Sequence, residues 1–345
     1  MTMTKTLDLV PGIITNRDEI ADSFNCGKAQ GIETAREAEK IFLFSDPAAG
    51  HSFGYTFDGR ADDDEYGPLY LYTGRGLVGD QSLTDRNKTL RLHVEKGYEV
   101  HLFVADGKVS DDSDALRQRY IGQMTIDPID PVHVRRAPDQ KKNMRNVLVF
   151  RLRPAPGSTP KWLDKDRLQP ATSDGIEEID LDKTPVDVPV IPTQGGVKDK
   201  ASEVHTVTET VANIPGGPRK VVRRESILVS AFKKTLEEAG HTHKTFQITA
   251  KGESGAITPD LYDATDHMLY EAKGKTTREN VRMAIGQLLD YSHHLRKHIS
   301  DPDNLRVGIL LPSEPEEPVK ELLHSLGIGL VYQTEDGFHG FPLKP

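Results

Sequence analysis

ITPDLYDATDHMLYEAKGK (257–275) decides the fold of the C-terminal part of this chain. Pro259 and Asp260 open one short strand, the chain turns back, and Glu271-Ala272-Lys273 closes a second strand. A hairpin of that length sets the start of one strand beside the end of the other, so Asp260 and Glu271 come within reach of one divalent ion. Side chains alternate along a strand, which puts Glu271 and Lys273 on one face and Ala272 on the other. Mg²⁺ takes oxygen ligands and keeps several waters, so two carboxylates and a phosphate oxygen suffice to hold it. A neighbouring lysine then positions or helps deprotonate an attacking water and offsets charge developing on the phosphate.

Working outward, an amphipathic helix is expected over RRESILVSAFKKTLEEAG (223–240) and a strand over FQITAKG (246–252). After the hairpin come a long helix, TRENVRMAIGQLLDYSHHLRKH (277–298), a strand at 305–311, a helix at 317–327 and a strand at 328–333. Strands alternating with helices indicate an α/β sandwich. The Asp260, Glu271 and Lys273 pattern, in this order of elements, resembles the PD-(D/E)XK nuclease superfamily. Gln287 and Tyr291, one helical turn apart on one face, look like the QxxxY element of one branch. Glu225 stands on the helix where that superfamily often places a further acid. The resemblance implies hydrolysis of DNA phosphodiester bonds with Mg²⁺ or Mn²⁺ held by Asp260 and Glu271. Asp263, Asp266 and Lys275 read as loop or surface groups. His293, His294 and His298 end the long helix, where adjacent histidines cannot share a face to hold a metal.

Residues 1–153 alternate short runs rich in β-branched and aromatic residues with two helical stretches, NRDEIADSF (16–24) and NKTLRLHVEKG (87–97). A curled, mostly antiparallel sheet is expected. Within it, YTGRGLVGD (72–80), the segment opening at Asn87, EVHLF (99–103) and RYIG (119–122) resemble the SRA fold. That fold reads 5-methylcytosine in chromatin proteins and in bacterial modification-dependent restriction enzymes. The resemblance implies a base flipped out of the duplex and held in a pocket. It carries Tyr72 and Thr73 over as the stacking and contact pair and Asp63 as the acceptor for the cytosine amino group, and it matches Gly67 five positions before the tyrosine. A second sandwiching tyrosine is replaced by Arg60, with Tyr55, Phe57 or Tyr66 as substitutes. Either 5-methylcytosine or 5-hydroxymethylcytosine is the expected base. Arg75, Arg86, Lys88, Arg135 and Arg136 are then candidate phosphate contacts, which add affinity without sequence information.

The whole is an α+β and α/β chain: an SRA-like domain (1–153), a Pro/Gly-rich linker (154–217) without sustained periodicity, and a nuclease domain (218–345). Its formal net charge of -9 speaks against nucleic acid, but binding needs only a local basic face. Basic residues gather in VHVRRAPDQKKNMR (132–145) and PRKVVRR (218–224). Cys26 is the single cysteine, which excludes intrachain disulfides and fits a reducing cytoplasm. No run of apolar residues is long enough for a membrane span. The expected function is a modification-dependent restriction endonuclease acting on double-stranded DNA. A dimer, formed on DNA or before it, is expected because one catalytic domain cuts one strand. A non-cleaving reader and a repair nuclease indifferent to modification are the rivals.

Overall fold

The computed structural model describes residues 7–47, 57–64, 66–128, 130–171, 173–179 and 218–341. In the first part β1 (Ile14–Asn16), α1 (Arg17–Phe24), β2 (Ile32–Ala35), β3 (Lys40–Ser45), β4 (Gly59–Arg60) and β5 (Tyr70–Thr73) come first. Then follow α2 (Asp85–Arg91), β6 (Glu99–Lys108), β7 (Leu116–Ile126), β8 (Val132–Pro138) and β9 (Met144–Pro154). They make one sheet in the order β2-β3-β6-β7-β9-β5-β4, with β1 on β7 and β8 on β9. One edge of β9 pairs with β8 up to Phe150 and then with β7 from Leu152, while its other edge carries β5. Changing partner along one edge bends the sheet, and this is the curl.

Strand β3 shows why the pattern there is a run rather than an alternation. Ile41 and Leu43 enter one buried cluster with Tyr70, Tyr72 and Phe150. Phe42 and Phe44 enter the cluster on the opposite face, closed by Ile20 and Phe24 of α1. A strand covered on both faces has no polar side to display. Helix α1 starts where Asn16 Oδ1 accepts the Glu19 N–H at 2.9 Å, the side-chain cap a first turn needs. The helix expected over 87–97 is confined to α2, and the N–H of Gly97 closes a turn beyond it on Val94.

The second part opens with β10 (Gly175–Ile179), followed by α3 (Pro218–Glu238), β11 (His243–Thr249), β12 (Leu261–Asp263) and β13 (Met268–Ala272). It closes with α4 (Arg278–Leu295), β14 (Arg306–Leu311), α5 (Glu317–Ser325), β15 (Gly329–Thr334) and β16 (Gly337–His339). The seven strands follow chain order across the sheet, and β13, β14 and β15 run parallel. Met268, Tyr270 and Ala272 pack with Leu228, Phe232 and Leu236 of α3. Leu269, between them, packs on the other face with Val281, Ala284 and Leu288 of α4. Helices on both faces of the central strands make an α/β sandwich.

The stretch expected as a linker needs correction over 154–179. Trp162 stacks on Tyr70 with ring centroids 5.9 Å apart, the Arg119 guanidinium bonds buried Asp166, and β10 is the edge strand of the second sheet. Residues 180–217 lie outside the described residues, as does Tyr55. Proline content signalled a linker, but prolines also suit a chain laid across a surface without a ladder of its own. Gly59 shows how tight this layer is. Its φ is +151°, and a Cβ there would meet the Leu168 backbone N and Cα at 2.8 and 2.9 Å. Gly59→Ala should therefore destabilise the protein by about 1–3 kcal/mol. An unchanged thermal midpoint would show that 155–171 does not pack there.

The two sheets also touch. Arg135 Nη1 donates to Thr258 Oγ1 at 2.9 Å, and the Gln247 amide clasps the Arg136 backbone, accepting from its N–H at 2.8 Å and donating to its carbonyl at 3.2 Å. The Ala171 N–H donates to the Glu253 carbonyl, and the Gly252 N–H to that of Ala171. No helix among the described residues is long and apolar enough to cross a membrane.

Candidate active site and base pocket

The parallel strands β13 and β14 end together, and the carboxylates collect at that end. Asp260 lies just before β12, and its Oδ2 accepts the Ala272 N–H at 2.8 Å, the cross-strand bond that ties the two hairpin arms. Glu271 and Lys273, on the α4 face, are both buried, and Lys273 Nζ donates to Glu271 Oε1 at 2.7 Å. From the opposite face Glu225 reaches round to accept the Gly274 N–H at 2.9 Å. Gln287 Nε2 donates to the Tyr291 hydroxyl at 3.3 Å. Tyr291 lies near enough to Glu271 and Asp260 that, after burial, their charges help raise its phenol above the ordinary value. The structure thus gathers Asp260, Glu271, Lys273, Glu225, Gln287 and Tyr291 into one cluster.

Its electrostatics ask for a cation. Burial first, then the neighbouring Asp260, pushes the Glu271 carboxyl up, against the pull of Lys273. Burial likewise raises Asp260. Glu271 Oε2 and Gln287 Oε1 are buried and accept no hydrogen bond. Orphaned oxygens beside crowded carboxylates are costly in a protein interior and are the donor set a hard divalent ion takes. The residues present therefore fit Mg²⁺ or Mn²⁺.

His241, Asp263 and Asp266 also come close together, at the turn end of the hairpin. Their atoms are engaged in holding that turn: Asp263 accepts from the Thr265 N–H at 2.9 Å and pairs with His241 Nδ1 at 2.7 Å.

In the first sheet a cavity of about 790 Å³ opens beside β5. Tyr72 and Thr73 line it, with Arg17, Phe44, Asp58 and Arg75. The Tyr72 ring is buried and its hydroxyl donates to the Gly31 carbonyl at 2.7 Å. The Arg17 guanidinium lies 4.4 Å from the centroid of the Phe44 ring. Asp63 does not line the cavity. It is half-exposed and pairs with Arg60 at 3.1 Å, because the turn that Gly67 closes on Asp64 carries it outward. Four acids line it instead, Asp46, Asp58, Asp80 and Asp85; the buried one is Asp58, which accepts the Thr73 N–H at 2.7 Å and the Ser45 hydroxyl at 2.8 Å. Phe57 and Tyr66 are outside the lining, and the aromatic that faces the cavity with Tyr72 is Phe44. Asp58 sits next to a glycine of positive φ, the one local sign that the backbone there bends into something.

Of the basic candidates, Arg75 and Arg86 line the cavity, although Arg86 is committed to Glu33 and the Ile32 carbonyl. Lys88 is exposed on α2. Arg135 reaches across to Thr258, and Arg136 is clasped by Gln247 through its backbone while its guanidinium donates to Asn146 Oδ1 at 3.2 Å. Lys141 and Lys142, further along the basic run, are exposed, while Arg145 at its end is buried and holds the Gly76 and Gly79 carbonyls at 2.7 and 3.1 Å. That clamp shapes the glycine-rich loop at the cavity mouth.

Residues 12–174 match the family model described as ScoMcrA-like, SRA domain. This stretch is an SRA-like domain. No curated protein matches the chain. Similar solved structures include the sulfur binding domain and SRA domain of ScoMcrA complexed with phosphorothioated DNA, 25% identical over 44% of this chain and 41% of that one, TM-score 0.32. The Type IV phosphorothioation-dependent restriction endonuclease ScoMcrA is 24% identical over 43% of this chain and 28% of that one, TM-score 0.32. The DNA modification-dependent restriction endonuclease AspBHI is 11% identical over 97% and 92%, TM-score 0.32. The chain thus spans 41% and 28% of the two ScoMcrA chains.

Proposed function

We propose that this protein is a modification-dependent DNA endonuclease, which holds a modified cytosine in the Tyr72 cavity and hydrolyses the backbone at the Asp260–Glu271–Lys273 cluster. The observation that carries the reading is the carboxylate pair, with Glu271 buried and Asp260 partly so, its lysine and its unsatisfied Glu271 oxygen. Asp260 and Glu271 would hold a divalent ion, Mg²⁺ or Mn²⁺, which supplies Lewis-acid polarisation of a phosphate oxygen. Lys273, tied to Glu271, holds a proton at Nζ next to where a phosphate oxygen gains charge. Tyr291, neutral and hydrogen-bonded by Gln287, fixes the far wall of the site. In the reader, a flipped base stacks on Tyr72 across from Phe44 and the Arg17 guanidinium, and the cytosine amino group donates to Asp58. A double-strand cut needs two catalytic domains, so the cutting form is a homodimer assembled on or before DNA.

The test is to incubate one duplex, in 5-methylcytosine, 5-hydroxymethylcytosine and unmodified versions, with the protein and Mg²⁺. Cleavage confined to a modified version is expected. Binding without cleavage would leave a reader, and equal cleavage of all versions a nuclease indifferent to modification.

Asp58 also sets a pH dependence. Burial raises its carboxyl to about 6, against the hydrogen bonds from Thr73 and Ser45. A folded value above the ordinary 3.8 favours folding in acid, and that contribution is lost as pH rises through about 6. The ionised form is the acceptor, so preference for modified DNA should fall as pH drops through about 6. Asp58→Asn should lack that step. A preference ratio constant from pH 5 to 8 would remove Asp58 from the reading step.

A further inference from the structure

A second groove, of about 440 Å³, adjoins the catalytic cluster and is lined by Arg224, Ile227, Lys275, Thr276 and Ser313 among others. It lies beyond the ends of β13 and β14, where the crevice of a parallel sheet opens. The Glu225–Gly274 hydrogen bond (2.9 Å) fastens it to the active site, and the two cations are the immediate chain neighbours of that pair. Arg224 on α3 and Lys275 after β13 are both exposed, and neither is held in an ion pair among the described residues. The opposite wall offers hydroxyls, Thr276 Oγ1 and Ser313 Oγ, 2.8 Å apart. Acidic clusters repel DNA, and in a chain of net charge -9 a phosphate approaching Glu271 needs local positive charge.

We propose that this groove seats the phosphodiester backbone of the DNA strand flanking the scissile bond, with Arg224 and Lys275 each neutralising one phosphate. The proposal rests on the nuclease reading above. Ile227 supplies an apolar face for the sugar between two phosphates, and of the hydrogen-bonded Thr276 and Ser313 hydroxyls the one that accepts from the other donates its own proton to a phosphate oxygen.

The experiment uses the full chain, with Arg224→Ala/Lys275→Ala compared with wild type on the preferred modified duplex and Mg²⁺. Uniform binding is lost, so KM should rise while kcat changes less. Each phosphate contact contributes about 0.9 to the log–log salt slope of binding. Losing two makes the fall in affinity between 50 and 200 mM salt about tenfold smaller than for wild type. Arg224→Lys/Lys275→Arg keeps both charges and should restore slope and KM, which a merely structural role would not predict. An unchanged KM and salt slope in the alanine double variant, with an unchanged thermal midpoint, would overturn the groove. The slope is read from binding alone, so it decides the groove even where wild type cuts nothing; failure of wild type to cut any duplex would instead overturn the nuclease reading.

Discussion

Glu271→Gln should yield a folded protein that binds modified DNA as wild type does and cuts it about a thousandfold more slowly, or not at all. The amide keeps the shape of the side chain and still accepts from Lys273 Nζ, but it removes the charge that would attract a divalent ion. A thousandfold corresponds to about 4 kcal/mol of barrier. Asp260→Asn should do the same while keeping an oxygen for the Ala272 N–H. Lys273→Met should lose as much, because it strips the cation from a buried carboxylate and leaves that charge uncompensated. Chelation of divalent metal should match the Glu271 variant, and restored metal should rescue wild type only. Gel-based cleavage, with binding measured in parallel, reads all four. Near-normal cutting by folded Glu271→Gln would remove the active-site assignment.

Tyr72→Ala should abolish most of the preference for modified DNA while leaving non-specific binding in place. Base–aromatic stacking is worth about 1–3 kcal/mol, so binding of the modified duplex should weaken about fivefold to over a hundredfold. Tyr72 is also a core residue whose hydroxyl holds Gly31, so alanine carries a folding cost. Tyr72→Phe separates the two effects: it keeps the stacking face and loses only the Gly31 bond, so preference should be near that of wild type. Asp58→Asn keeps the volume but turns part of an acceptor into a donor facing the cytosine amino group, and should cost preference as well. Asp63→Ala, outside the cavity, should not. The measurement is the affinity ratio of modified to unmodified duplex at one salt concentration. A ratio that survives Tyr72→Ala would place the reading elsewhere.

Some of this was legible in the residues alone. The α/β order of the C-terminal domain and the facing of Glu271 and Lys273 followed from local periods, because a tight hairpin and a strand of alternating side chains leave little for distant contacts to change. Gln287 and Tyr291 followed from one helical turn. Tyr72 and Thr73 followed from a glycine-bounded strand in register with a known pattern. That Asp58 rather than Asp63 lines the cavity did not, because the two are close in the chain and alike in chemistry. Which one is buried depends on Gly59 running against Leu168, a neighbour remote in sequence. The basic run at 132–145 divides for the same reason. As letters it is a patch of charge, yet β8 is an edge strand that meets the second sheet, so Arg135 ends on Thr258, while Arg145, already on β9, ends on the glycine loop and Lys141 and Lys142 stay exposed. Periodicity sets which face of an element a side chain takes. Only the packing of elements distant in the chain decides whether that face meets solvent, a ligand or another domain.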